Sequence, residues 1–142
     1  MSDGCIFCKV ISNELPRQAV YENDNVLVFL NIKPLSLGHS LVVPKKHFKD
    51  LQNIPQGEYK EVMDTIKKVA LPLSKAAGAG SYNLVLNNDE IAGQSIPHLH
   101  WHIIPRSKDD GLFDWEQFGG RDYEDGEWEL FGEKIRNSLE RL

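Results

Sequence analysis

Three of the five histidines in this chain fall at alternate positions, in His98-Leu99-His100-Trp101-His102-Ile103-Ile104. Side chains alternate across a strand, so the three imidazoles are expected on one face, with Leu99, Trp101 and Ile103 on the other. One metal held by all three is disfavoured, because same-face neighbours on a strand stand roughly 6.6 Å apart and the outer pair roughly 13 Å. A metal drawing nitrogens to about 2.0–2.1 Å can gather two such rings from a regular strand, not three. Separate jobs for the three rings fit better than one shared job. Imidazole suits attack on phosphorus because, with an ordinary pKa of about 6.5, it is largely neutral and nucleophilic without a separate base. His100, flanked on both sides, is the expected nucleophile. His102 is expected to hydrogen-bond a phosphate oxygen or a leaving group. The preceding Gly93-Gln94-Ser95 offers close backbone approach at Gly93 and a hydroxyl at Ser95, donors that stabilise developing negative charge.

A second chemical pair is Cys5-Ile6-Phe7-Cys8, which contains both cysteines of the chain. A C-x2-C pair serves redox chemistry or metal binding. No alternating strand–helix pattern surrounds it, which argues against a redox fold. A metal site asks for two more ligands, for which His47 and His98 are the candidates. Two thiolates and two imidazoles would close a tetrahedral zinc shell of the structural kind.

The elements that must position these residues follow from periodicity. Residues 5–12 read as a short helix with Ile6, Phe7, Val10 and Ile11 on its apolar face. Strands are expected at 26–30, at 39–43 between Gly38 and Pro44, at 82–86 and at 99–104. Residues 58–70 carry Tyr59, Val62, Met63, Ile66, Val69 and Ala70 at helical spacing, and Pro72 is expected to kink or interrupt that helix. Trp128, Phe131, Ile135, Leu139 and Leu142 predict a terminal amphipathic helix. Strands joined mainly by turns, with helices set apart, predict an α+β domain on an antiparallel sheet. A single domain is expected over residues 1–142, its core at about 5–106 and a tail at 107–142.

The run Gly93-Gln94-Ser95-Ile96-Pro97-His98-Leu99-His100-Trp101-His102-Ile103-Ile104 resembles the signature of the histidine triad family, His-φ-His-φ-His-φ-φ with φ apolar. The likeness extends to Phe29-Leu30-Asn31-Ile32-Lys33-Pro34, to Gly38-His39-Ser40-Leu41-Val42-Val43-Pro44-Lys45-Lys46-His47, and to the strand ending at Asn87. It implies a nucleotide hydrolase or transferase that passes through a nucleotidyl-histidine, paired as a homodimer. By position, the resemblance makes His100 the nucleophile and sets His102, Gly93, Gln94 and Ser95 at the phosphate. It puts Asn87 near the phosphates, Asn31 at the ribose, and Ile6, Phe7, Phe29 and Ile32 around the base. Without it, those four apolar residues are most simply core. Cys5, Cys8, His47 and His98 match the zinc ligands of bacterial members. Asn31 and Ile103-Ile104-Pro105-Arg106 lean toward the diadenosine polyphosphate hydrolases, whereas Asn87 leans toward the purine nucleoside phosphoramidases. Asymmetric cleavage of a diadenosine polyphosphate is therefore the expectation, with phosphoramidate hydrolysis or a weakly catalytic nucleotide-binding scaffold as the alternatives.

Composition bounds these readings. The chain is 41% apolar and 26% charged, with a net charge of -5. That balance argues against a nucleic-acid polymer as partner, which would call for a clustered basic face, and leaves room for a pocket that binds one small anion. No apolar run reaches the ~18 residues of a membrane span. Residues 1–5 lack the basic start and apolar stretch of a secretory leader, so a cytoplasmic address is expected. No organic cofactor is called for. The acidic, aromatic stretch around Trp115 and Tyr123 is expected to cover a pocket mouth, to reach across a dimer interface, or simply to pack on its own domain.

Overall fold

Val26, Leu27, Val28 and Phe29 are all buried in one strand, which requires a sheet covered on both faces. The computed structural model describes residues 4–142, apart from the side chain of Trp115, and it shows such a sheet. The strands are β1 (Ala19–Glu22), β2 (Val26–Leu30), β3 (Ser40–Pro44), β4 (Ser81–Leu86) and β5 (Trp101–Arg106). They lie in the order β1-β2-β3-β5-β4, each pair antiparallel. Helix α1 (Ile6–Ile11) puts Phe7, Cys8 and Val10 against Leu27, Phe29, Leu41 and Val43 on one face. Helix α2 (Gln56–Ala76) puts Val62, Ile66 and Ala70 against Val26, Val28, Val42, Leu99, Trp101 and Ile103 on the other. The expected α+β class and antiparallel sheet are what the chain adopts.

Several elements differ from the periodicity reading, four of them instructively. β1 was not expected: it is a four-residue edge strand, largely exposed, so it carries no apolar alternation to betray it. β3 runs one residue later than expected, through Pro44. β5 starts at Trp101 rather than Leu99, because the Leu99 amide donates to Phe48 O at 2.7 Å and the His98 amide to Ile96 O at 2.8 Å. The α2 helix passes through Pro72 without ending. Pro72 and Lys68, whose carbonyl loses its helical partner there, are both exposed, so water can take the freed oxygen. Ala70 and Ser74 meanwhile hold that turn against the sheet side as buried residues.

Gly38 shapes the entry to β3. Its φ of +89° is left-handed, and an added Cβ would sit 2.6 Å from the Cβ of Ala77.

The chain divides into two compact units, the first ending at Asp110 and the second spanning Gly111–Leu142. The second contains a 3-10 turn at Trp115–Phe118 and helix α3 (Glu127–Leu139). α3 ends before Leu142, and its residues Trp128, Phe131, Ile135 and Leu139 are all exposed. Trp128 is 67% exposed. The packing of Trp115 lies outside the described side chains.

Candidate active site and metal centre

The α1 helix is only six residues long, too short to hold itself together in water. Its N-cap is Cys5, whose Sγ accepts the Cys8 amide at 3.4 Å. Burial of Phe7, Cys8 and Val10 fixes the helix against β2 and β3 and brings both sulfurs inside.

Opposite those sulfurs stands His98, which is fully buried. Its Nε2 lies 2.9 Å from Pro44 O; a carbonyl only accepts, so Nε2 carries the proton and Nδ1 the lone pair. That Nδ1 is 3.5 Å from Cys5 Sγ and 3.6 Å from Cys8 Sγ. His47 closes the group, with Nδ1 3.4 Å from Cys8 Sγ. All four donor atoms lie within 4.8 Å of one another. Tetrahedral zinc at ordinary bond lengths holds its ligand atoms about 3.3–3.8 Å apart; the three contacts at 3.4–3.6 Å match that spacing, and the wider pairs need close by no more than about 1 Å, so the donor set suits zinc. Burial pushes the His98 imidazole down to about 4, and burial also lowers that of His47, which keeps both rings in the neutral form a metal needs. The Pro44 carbonyl is the outer-shell partner that orients the His98 ring.

Two residues on, His100 turns the other way. Its Nδ1 donates to the backbone carbonyl of His98 at 2.8 Å, so Nε2 carries the lone pair. Phe7 packs edge-on against this ring, with centroids 4.9 Å apart. Burial holds the His100 pKa below the usual histidine value, keeping the nitrogen unprotonated. The His102 ring lies 5.1 Å from that of His100. Its pKa falls to about 4, mainly through burial, with further lowering by His100 and His39.

A cleft of about 740 Å³ opens onto these two rings, a size suited to a small molecule. Ile6, Phe7, Phe29, Asn31, Ile32, Ser95, His100 and His102 all stand in its wall. Val10, Leu15, Leu41 and Ile96 extend its apolar part. Val10 and Leu41 carried no signal because apolar side chains in a helix or strand look like ordinary core, and Leu15 and Ile96 because a single apolar residue in a bend makes no pattern. Among the described residues of the wall none is acidic, and the one basic side chain, Arg17, pairs with Glu22 at 3.0 Å and donates to the Val10 and Ile11 carbonyls. Asn31 spends its side-chain oxygen on the Lys33 amide at 2.9 Å, leaving its amide nitrogen as donor. Ile32 is 92% exposed and so forms rim rather than floor.

Asn87, Gly93 and Gln94 lie outside that wall. Gly93, with φ +103°, terminates the turn beside Asn87. Gln94 is buried, and its amide serves the loop itself: it accepts from the Asp89 amide at 2.8 Å and donates to Lys49 O and Ile96 O at 2.7 and 3.0 Å. Through these bonds it sets the path of the chain into Ser95. The three triad histidines thus do not converge on one point: His98 faces the cysteines, and His100 and His102 face the cleft. One further residue belongs here that carried no role in the sequence, His39, which is 2% exposed and hydrogen-bonded to His102. Its signal was a polar residue beside Gly38 at the mouth of an otherwise apolar strand.

A HIT domain matches residues 12–109 of the chain. Among similar proteins is an uncharacterized HIT-like protein of Methanocaldococcus jannaschii, 47% identical over 75% of this chain and 82% of its own. Adenylylsulfatase HINT3 of Arabidopsis thaliana is 40% identical over 80% of this chain and 57% of its own. Adenosine 5'-monophosphoramidase hnt1 of Schizosaccharomyces pombe is 37% identical over 75% of this chain and 77% of its own. A solved protein of Streptococcus mutans UA159 superimposes with a TM-score of 0.86 at 30% identity, covering 99% of this chain and 87% of its own. A zinc-bound histidine triad family protein of Mycobacterium smegmatis gives 0.73 at 32% identity, over 78% and 80%.

Proposed function

Because the chain belongs to the HIT family, we propose that it is a nucleotide hydrolase that cleaves adenylyl compounds at the α-phosphate through a nucleotidyl-His100 intermediate. The observation that carries this reading is the tautomer of His100, proton on Nδ1 and lone pair on Nε2, at the wall of an apolar cleft. In the first step Nε2 bonds to phosphorus while the bond from phosphorus to the leaving group breaks. A phosphoramidate that enters protonated on nitrogen departs as the neutral amine. Water then attacks the same phosphorus and the P–N bond to His100 breaks with its electron pair returning to Nε2; of the two protons of water, one stays on the nucleoside monophosphate and the other passes to solvent.

The wall residues divide the substrate between them. Ile6, Phe7, Phe29 and Ile32 take the base, with an edge of apolar contact that Val10 and Leu15 continue. Asn31 stands at the ribose, and Ser95 and His102 offer donors to the phosphate. Gly93, Gln94 and Asn87 act on the phosphate end by shaping the loop that carries Ser95. Cys5, Cys8, His47 and His98 would hold a structural zinc, which supplies rigidity rather than an open reactive position. A reducing, cytoplasmic setting suits that thiolate pair. Two copies are expected to pair through the outer edge of β4, where Tyr82 and Leu84 are 38% and 39% exposed.

The relatives carry names for removal of an amine and of sulfate from an adenylyl group. They favour phosphoramidate as the better substrate over the diadenosine polyphosphate that Asn31 suggests. Chromatographic product analysis of adenosine 5'-phosphoramidate and diadenosine tetraphosphate tests this. Release of adenosine monophosphate, faster from the phosphoramidate, is expected. Cleavage of neither would overturn the hydrolase reading and leave a binding module.

A further inference from the structure

The chain leaves α1 by doubling back on it. Asn13 is left-handed at φ +66°, and the Glu14 and Leu15 amides both donate to Lys9 O, at 2.9 and 3.2 Å. A helix leaves its last carbonyls without partners of its own. Here the Val10 carbonyl takes the Asn13 amide at a long 3.2 Å, and the Ile11 carbonyl takes no backbone amide among the described residues. Arg17, on the returning chain, serves both. Its Nη1 donates to Val10 O and to Ile11 O, at 3.2 Å each. Its Nη2 donates to the Glu22 carboxylate, 3.0 and 3.3 Å from the two oxygens, and Lys45 Nζ holds that carboxylate from just past β3 at 3.5 Å.

We infer that Arg17 is a positioning residue that pins the C-terminal end of α1 and so fixes the apolar wall at the base end of the cleft. The helix has two ends to hold. Cys5 and Cys8 gather the first against His47 and His98; Arg17 fastens the second to β1 through Glu22. Between those anchors α1 presents Ile6, Phe7 and Val10 to the cleft, and the returning chain adds Leu15. A six-residue helix has too few hydrogen bonds of its own to keep that face in place. That this wall meets the base rests on the proposed function; that Arg17 holds it does not.

An arginine in the wall of such a cleft invites a different role, since guanidinium is a common phosphate ligand. Its place in the sheet argues against that. Ala19 pairs with Phe29, Phe29 with Leu41, and Leu41 with His102. This row crosses from β1 to β5, so its ends stand roughly 14 Å apart at the usual strand spacing. Arg17 lies two residues before Ala19, at the end of the row remote from the triad. Its donors are also spoken for: turning the guanidinium toward a phosphate would strip two helix-end carbonyls and a carboxylate of their partner. The side chain is 14% exposed, so water is poorly placed to replace it at those acceptors.

The test uses full-length, zinc-loaded protein, wild type beside Arg17→Ala and Arg17→Lys. Two readouts are taken: kinetics on adenosine 5'-phosphoramidate, and calorimetric binding of adenosine, which has the base and ribose but no phosphate. Arg17→Ala should raise KM for the first and Kd for the second alike, by about tenfold, while kcat falls far less, the pattern of lost binding rather than lost chemistry. Zinc content should stay at the wild-type level, because the cysteine end of α1 is untouched. Arg17→Lys should sit close to Ala, since one ammonium cannot span two carbonyls and a carboxylate as the planar fork does. A KM that rises while adenosine binds as in wild type overturns the inference and makes Arg17 a phosphate ligand. So does an Arg17→Ala protein that loses Tm alone, with KM and Kd unchanged, or an Arg17→Lys protein equal to wild type. If Arg17→Ala does not fold, the Lys variant decides by the same two constants. Wild type that binds adenosine without cleaving the phosphoramidate defeats the hydrolase reading and leaves Arg17 to be judged by adenosine binding; wild type that binds no adenosine overturns both.

Discussion

The backbone carbonyl of His98 accepts the Nδ1 proton of His100 at 2.8 Å, while the His98 ring turns away to face Cys5 and Cys8. One residue thereby ties two sites together. Whatever fixes the His98 ring also fixes the carbonyl that gives His100 its nucleophilic tautomer. A zinc bound by Cys5, Cys8, His47 and His98 would clamp α1, the end of β3 and the triad segment at one point.

Zinc content and thermal stability should fall together. We expect about one zinc per chain by elemental analysis, since the four donors make one closed shell. His47→Ala or Cys8→Ser should lose most of it and lower Tm by at least about 5 °C, because metal affinity is folding free energy. A structural role also predicts that chelators inactivate slowly, in step with loss of stability, rather than at once. Variants with unchanged zinc and unchanged Tm would remove the metal assignment.

Acid should weaken the fold through buried histidines. His102 titrates at about 4 in the folded chain and His39 is lowered as well, burial being the first cause in both. In the unfolded chain both sit near the ordinary value of about 6.5. Above that value neither state binds the proton, and the stability from these residues is complete. As pH falls from 6.5 toward 4 the unfolded chain binds protons that the folded chain refuses, so stability is lost. Denaturant midpoints between pH 7.5 and 4.5 check this: His102→Asn should show a shallower decline than wild type. An equally steep decline would mean that His102 is not held neutral.

Gln94 should matter chiefly to stability. Gln94→Ala removes the partner of the Asp89 amide and of the Lys49 and Ile96 carbonyls, all in part-buried bonds. A loss of about 2–3 kcal/mol follows, readable by urea unfolding. Gln94→Glu should fare little better, because a carboxylate cannot donate to those two carbonyls. A Glu variant as stable as wild type would show that the loop is held elsewhere.

Much of this architecture could be read before the fold was known. The β2 strand was legible because an apolar run stopped by polar turns admits few alternatives, and the triad because alternate histidines have a geometric meaning. The division of labour within it was less legible. His98 leaves the strand face only because the Leu99 amide is captured by Phe48, a contact between distant segments that no local pattern encodes. Pro72 does not interrupt α2 for a related reason: local chemistry allows a kink or an interruption, and the packing of α2 on the sheet carries the helix through. His39 went unassigned because its partner is 63 residues away in sequence. Tertiary contacts, not composition, decide such roles.

The most direct test of the account is to trap the intermediate. Wild-type protein would be mixed with adenosine 5'-phosphoramidate, quenched within a turnover under conditions that preserve phosphoramidate bonds, and analysed by intact and peptide mass spectrometry. The account predicts a single adenylyl group on His100, absent from His100→Ala, which should also lose turnover by several orders of magnitude. Undiminished turnover by His100→Ala, or an adenylyl group on any other residue, would contradict it.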